Sequence, residues 1–107
     1  MAESLRLDWI QDRVRGNQYL YSLHADEERR DEGISTADVE QAILNGQILE
    51  DYPNDPRGPS CLVYGPAGND RPLHVVCGRN SVGWLVMITV YIPTLPKWKD
   101  PTERSGA

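Results

Sequence analysis

The 107-residue sequence contains no phenylalanine, two cysteines and two histidines, and each shortage removes a class of explanation. Cys61 and Cys77 are too few and too far apart for the disulfide framework of a small secreted domain or for a zinc ribbon, so reduced thiols and a cytoplasmic location are expected. Long apolar runs are missing as well. The longest, from Trp84 to Ile92 with one threonine inside, has the length of a strand and falls short of the roughly 20 residues of a membrane span. The opening Met1-Ala2-Glu3-Ser4 lacks the basic-then-apolar layout of a signal peptide, and none is expected. There is no G-x-G-x-x-G and no P-loop; the glycines punctuate turns. Positive charge is scarce, with 11 Lys+Arg against 16 Asp+Glu and a net charge of −5. That balance argues against a nucleic-acid binder that works mainly by neutralising phosphates.

What is present is globular in composition, 39% apolar and 25% charged. The charge is divided unevenly. Residues 1–56 carry 5 basic and 13 acidic side chains and so hold −8, whereas residues 57–107 carry 6 and 3 and hold +3. An anion would dock on the second half.

Periodicity places the elements. Leu7, Ile10 and Val14, widened by Leu5 and Trp9, give residues 4–15 a helical stripe that Gly16-Asn17 ends. Gln18–Ser22 reads as a short aromatic β segment. Ser22 then caps a helix that ends near Gly33. Ser35 and Asp38 have capping-box spacing ahead of the stripe Val39, Ala42, Ile43, which Asn45-Gly46 closes. From Gln47 the period is two, giving strands Gln47–Tyr52, Ser60–Tyr64, Leu73–Cys77 and Trp84–Tyr91 joined by short turns, as in an antiparallel meander. The expected fold is α+β, with two central helices packed on one face of a four-stranded antiparallel sheet plus an N-terminal helix. Residues 1–17 form a helical extension, 18–93 the domain, and 94–107 an extended, partly mobile tail.

Alternation sorts the sheet faces. Val86, Ile88 and Val90 are expected toward the helices, with Met87, Thr89 and Tyr91 opposite. His74 joins the second group if its strand keeps parity, and a bulge would invert part of this arrangement. His74 and Cys77 form H-x-x-C, but residues three apart on a strand point to opposite faces, so no metal site is expected there. His24, in the first turn of a helix, suits donation to an anion; it equally suits a surface histidine bonded to a nearby loop. Arg29 and Arg30, among five acids, read as a solvated helix with local ion pairs. Lys97, Trp98 and Lys99 form a basic-aromatic cluster able to contact phosphate and stack on a base, or to cover a sheet edge.

The runs Tyr21-Ser22-Leu23-His24-Ala25-Asp26, Glu32-Gly33-Ile34-Ser35, Asp38 to Gly46, Cys61 to Gly65, Pro72 to Val76 and Ile88 to Pro93 together resemble one bacterial family, the domain of unknown function 4258. The likeness covers about residues 19–100. Its members look like RelE-type ribonuclease toxins in layout, also described as barnase-like, and tend to occur beside small antitoxin-like proteins. The resemblance implies a metal-independent endoribonuclease with no cofactor, or a relative that has lost activity, with RNA and an antitoxin-like protein as partners. It points to His24, His74, Thr89 and Tyr91 as catalytic residues, the histidines as acid and base and the hydroxyls on the phosphate. Arg79, Lys97 and Trp98 would hold the substrate. Many members place arginines four and eight residues after the first histidine; here those positions are Glu28 and Glu32. The rival expectation is a non-enzymatic module that binds a protein through its acidic helical half or its sheet face.

Overall fold

The computed structural model describes residues 4–106, so Met1–Glu3 of the N-terminal extension and Ala107 of the tail lie outside the described residues. Helix α1 (Leu7–Arg15) leads to strand β1 (Tyr19–Tyr21), then to helices α2 (Leu23–Asp31) and α3 (Thr36–Leu44). Strands β2 (Gln47–Tyr52), β3 (Ser60–Pro66), β4 (Pro72–Arg79) and β5 (Leu85–Tyr91) follow. The helix starts obey their caps. Ser22 Oγ accepts from Ala25 N at 3.0 Å, and Ser35 and Asp38 form a reciprocal capping box.

The sheet corrects the expectation of four antiparallel strands. It has five, in the order β1-β5-β4-β3-β2, and β1 runs parallel to β5 with Leu20 opposite Val86. The last four strands do pair antiparallel, because each turn between them is too short for a crossover. No turn dictates the direction of β1, which meets β5 only after the whole chain has come round.

The second correction concerns faces. A bulge shifts the β4–β5 register between Val76 and Cys77. Leu85, Met87 and Val90 therefore enter the helix-facing core, with Leu73, Val75, Cys61, Val63 and Cys77 from β4 and β3. Met87 was expected outside, and Val86 and Ile88 inside; the extra residue reverses both, while Thr89 and Tyr91 keep the parity read from sequence. Ile10, Val14, Ala25, Val39, Ala42 and Ile43 complete the core from the helices. Helix α1 is part of this packing, since Gln11 Nε2 donates to the Ile43 and Leu44 carbonyls at the end of α3 at 3.1 and 3.3 Å. α3 lies directly on β3: a Cβ at Gly65 would stand 1.9 Å from the Ala42 carbonyl oxygen.

The tail is extended chain. It folds into a separate two-stranded ribbon, β6 (Trp98–Asp100) with β7 (Glu103–Arg104), laid on the sheet face away from the helices. Trp98 is only 2% exposed there. A large aromatic finding an apolar seat with a partner for its indole N–H outweighs the disordering tendency of the surrounding prolines.

Candidate functional site

An open cleft of about 450 Å³ lies where α2, the end of β5 and the tail meet. α2 contributes His24 and Glu28, with Glu32 just beyond its end; β5 contributes Thr89 and Tyr91; the tail contributes Lys97 and Trp98. The fold builds it in a definite way. β1 pairs with β5 only as far as Met87, after which Ser22 takes over: its N–H donates to the Met87 carbonyl and its hydroxyl to the Ile88 carbonyl, both at 2.9 Å. The next exposed amides on that edge are satisfied by carboxylates. Val90 N donates to Glu28 Oε1 at 3.0 Å, and Ile92 N to Glu32 Oε2 at 3.1 Å. One helical turn, the spacing between residues 28 and 32, spans the repeat between those two strand amides. Glu28 and Glu32 thus tie α2 to the strand edge and leave negative charge on the cleft wall.

Of the seven residues singled out from sequence, the cleft gathers His24, Thr89, Tyr91, Lys97 and Trp98. His24 is two-thirds exposed, with its Nε2 3.2 Å from Glu28 Oε1. Lys97 is exposed at the rim. Arg79 stands elsewhere, at the end of β4, with its guanidinium 5.8 Å from the centre of the Trp9 ring.

His74 adjoins the cleft but does not open into it. It is fully buried beneath the ribbon, with Trp98 edge-on to its ring at a centroid distance of 4.4 Å. Nε2 lies 2.6 Å from the Pro101 carbonyl oxygen, which only accepts, so the proton is on Nε2. Nδ1 then accepts from the Tyr91 hydroxyl at 3.1 Å, and Trp98 Nε1 donates to that same hydroxyl at 3.2 Å. Burial pushes the His74 pKa below its ordinary value, ahead of the opposing pull of its bond to Pro101. Burial likewise raises the Tyr91 phenol. Sequence parity had brought His74, Thr89 and Tyr91 together; it carried no signal for Pro101 or for Trp98 closing over the imidazole.

Arg104 fastens the ribbon at its far side. Its guanidinium makes two 2.7 Å bonds to the Glu50 carboxylate and stacks on Trp98 at 4.7 Å. That bidentate contact holds the Glu50 carboxyl down at about 2. Neither Glu50 nor Arg104 stood out in sequence, because their pairing spans 54 residues and no local spacing announces it.

Among the described residues no group of three or more His, Cys, Asp or Glu side chains is placed to hold a metal ion, and no helix is long and apolar enough to cross a membrane. Cys61 and Cys77 face each other across β3 and β4, buried and free. Burial raises the Cys77 thiol well above its ordinary value and the Cys61 thiol to about 12, which leaves neither a ready nucleophile.

A family model described as Domain of unknown function (DUF4258) matches residues 21–92, a span that runs from β1 to just past β5 and leaves the ribbon outside. No curated protein and no solved structure matches the chain.

Proposed function

We propose a function from the premise that this chain belongs to the DUF4258 family: it is a non-enzymatic interaction module whose acidic cleft receives a basic segment of a protein partner. The observation that carries the reading is the sign of the cleft wall. Glu28 and Glu32 stand where the family resemblance places arginines, and carboxylates there repel a phosphate and attract an ammonium or guanidinium. The neighbouring arginines do not reverse this, because Arg29 and Arg30 are both drawn to Asp26, at 2.7 and 3.1 Å. The burial of His74 under the ribbon supports the same reading by removing one of the two histidines from reach of a substrate.

Binding of a labelled lysine- and arginine-rich peptide tests it. Glu28→Gln combined with Glu32→Gln keeps an acceptor oxygen for the Val90 and Ile92 amides while removing both charges. Affinity is expected to fall about tenfold, equivalent to about 1.4 kcal/mol. Unchanged affinity in the folded double variant would sink the reading.

One arrangement favours a second reading, RNA cleavage. His24 and Glu28 form an imidazole–carboxylate pair at 3.2 Å beside the two hydroxyls of Thr89 and Tyr91, with Lys97 as a cation. Metal-independent cleavage uses a base for the 2′-hydroxyl, an acid for the leaving oxygen and a cation for the phosphate. Expression in a bacterial host separates the two. The module leaves growth and total RNA intact; growth arrest with RNA breakdown, relieved by His24→Ala, would replace it with a ribonuclease whose chemistry lies at His24 rather than His74.

A further inference from the structure

The ribbon touches the domain in an unusual way. Its strands pair only with each other, and among the described residues no main-chain hydrogen bond joins residues 94–106 to the five-stranded sheet. The attachment is made by side chains seated in a shaped polar site. The Trp98 indole donates to Tyr91, the Pro101 carbonyl accepts from His74, and Arg104 forks onto Glu50. Glu50, Leu62, Tyr64, His74 and Tyr91 form the receiving surface. Register places Glu50 opposite Leu62, and Tyr64 and Tyr91 on either side of His74. Leu62 is 1% exposed although it lies outside the helix-facing core, and the Tyr64 ring stands edge-on to His74 at 6.0 Å.

The receiving surface and its occupant differ in one further respect. Every residue of the surface lies within the matched family span, 21–92, and every residue of the ribbon lies beyond it. The connection between them, Pro93 to Pro96, includes Leu95 at 71% exposure. A surface within the matched span is therefore filled by a segment outside that span, through contacts a second segment of the same chemistry can reproduce.

We propose that this sheet face is a recognition surface for an extended partner segment carrying an indole and, about six residues on, a guanidinium, and that the chain's own ribbon occupies it in cis. The partner's chemistry is read from the occupant. The indole supplies an apolar plate and one N–H for the Tyr91 hydroxyl, a main-chain carbonyl meets the His74 N–H, and the guanidinium meets the Glu50 carboxylate. These groups satisfy the site's polar atoms; an aliphatic segment would leave the Glu50 carboxylate without its guanidinium and the Tyr91 hydroxyl without its indole donor. The receiving surface shares Tyr91 with the acidic cleft, and the ribbon's Lys97 and Trp98 also line that cleft, but Glu28 and Glu32, which give the cleft its sign, take no part in holding the ribbon.

The test uses the full chain carrying Trp98→Ala, which unseats the ribbon, and a labelled synthetic peptide of residues 94–106 as the probe. The peptide is expected to bind this variant about tenfold or more tightly than it binds the wild-type chain, where the cis ribbon competes. Binding should shift the His74 and Tyr91 amide resonances. A peptide with alanine in place of its tryptophan should not bind. Absence of binding to the folded variant, or equal binding of both peptides, overturns the proposal. Collapse of the whole fold on Trp98→Ala also overturns it, because the ribbon would then be part of the core. Arg104→Gln, a milder change, is measured in parallel by amide exchange. Ribbon amides opening well before those of β4 and β5 support a displaceable occupant, and simultaneous opening contradicts one.

Discussion

His74 is held neutral by what surrounds it, and that has a sign in stability. Its pKa in the folded chain is depressed, so below the ordinary histidine value of about 6.5 the unfolded chain binds a proton that the folded one resists. Stability is therefore expected to decline as pH falls from 7 through 6 toward the depressed folded value. Urea unfolding of the wild-type chain and of His74→Leu at several pH values checks this: the variant should lose the slope in that window. It should also be less stable by about 1–3 kcal/mol at neutral pH, since the Tyr91 hydroxyl and the Pro101 carbonyl lose their partner. Glu50 adds a second, more acidic step. Its folded pKa of about 2 lies below the unfolded value, so the stability it contributes is present above the ordinary carboxylate range and is lost as pH falls from 4.5 toward 2. Glu50→Gln should remove that step and leave the histidine one. At this scale the sequence was half legible. Two-residue parity put His74, Thr89 and Tyr91 on one face, but the groups that decide the histidine's protonation arrive from a tail that bends back on itself, and nothing periodic marks that bend.

The elements that were legible are those whose signals are local. Ser35 and Asp38 cap α3 as their spacing predicts, and Ser35→Ala should cost about 1 kcal/mol in thermal or urea unfolding. Strand direction and bulges were not legible, because they depend on contacts distant in sequence: β1 is joined to β5 across more than 60 residues, and Gly78, which sits beside the slip with room for no Cβ against Ile88, reads in sequence as the start of a loop. The seat of α3 on β3 is equally silent in sequence, yet it leaves little room for change. Gly65→Ala would drive a methyl into the Ala42 carbonyl, with backbone on both sides, and is expected to cost about 3 kcal/mol or to prevent accumulation of soluble protein. An alanine variant as stable as the wild type would show that α3 can lift off β3.

For the molecule as a whole, the two proposed binding surfaces both offer a carboxylate to a basic group and differ in their exposure to water. The cleft is open and carries its carboxylates near water; under the ribbon His74 and Leu62 are buried, and the Arg104–Glu50 pair at its edge is the charged contact that reaches solvent. Raising ionic strength from about 0.01 to about 1 M shortens the screening length from about 30 to about 3 Å. Basic-peptide binding at the cleft should weaken steeply over that range, while ribbon-peptide binding to Trp98→Ala should change far less. Similar salt sensitivity at both would mean that the buried surface is not sealed from solvent.

The strand order also sets a sequence in time. β1 lies near the beginning of the chain, but among the described residues its only neighbour in the sheet is β5, so the five-stranded sheet closes only when the two ends of the domain meet. The seat that receives Trp98 is assembled from β2, β3, β4 and β5 together, so the ribbon can dock only once those strands have paired. Docking of the ribbon is therefore the last step in assembling the fold, and the His74 face stays open until that step is taken.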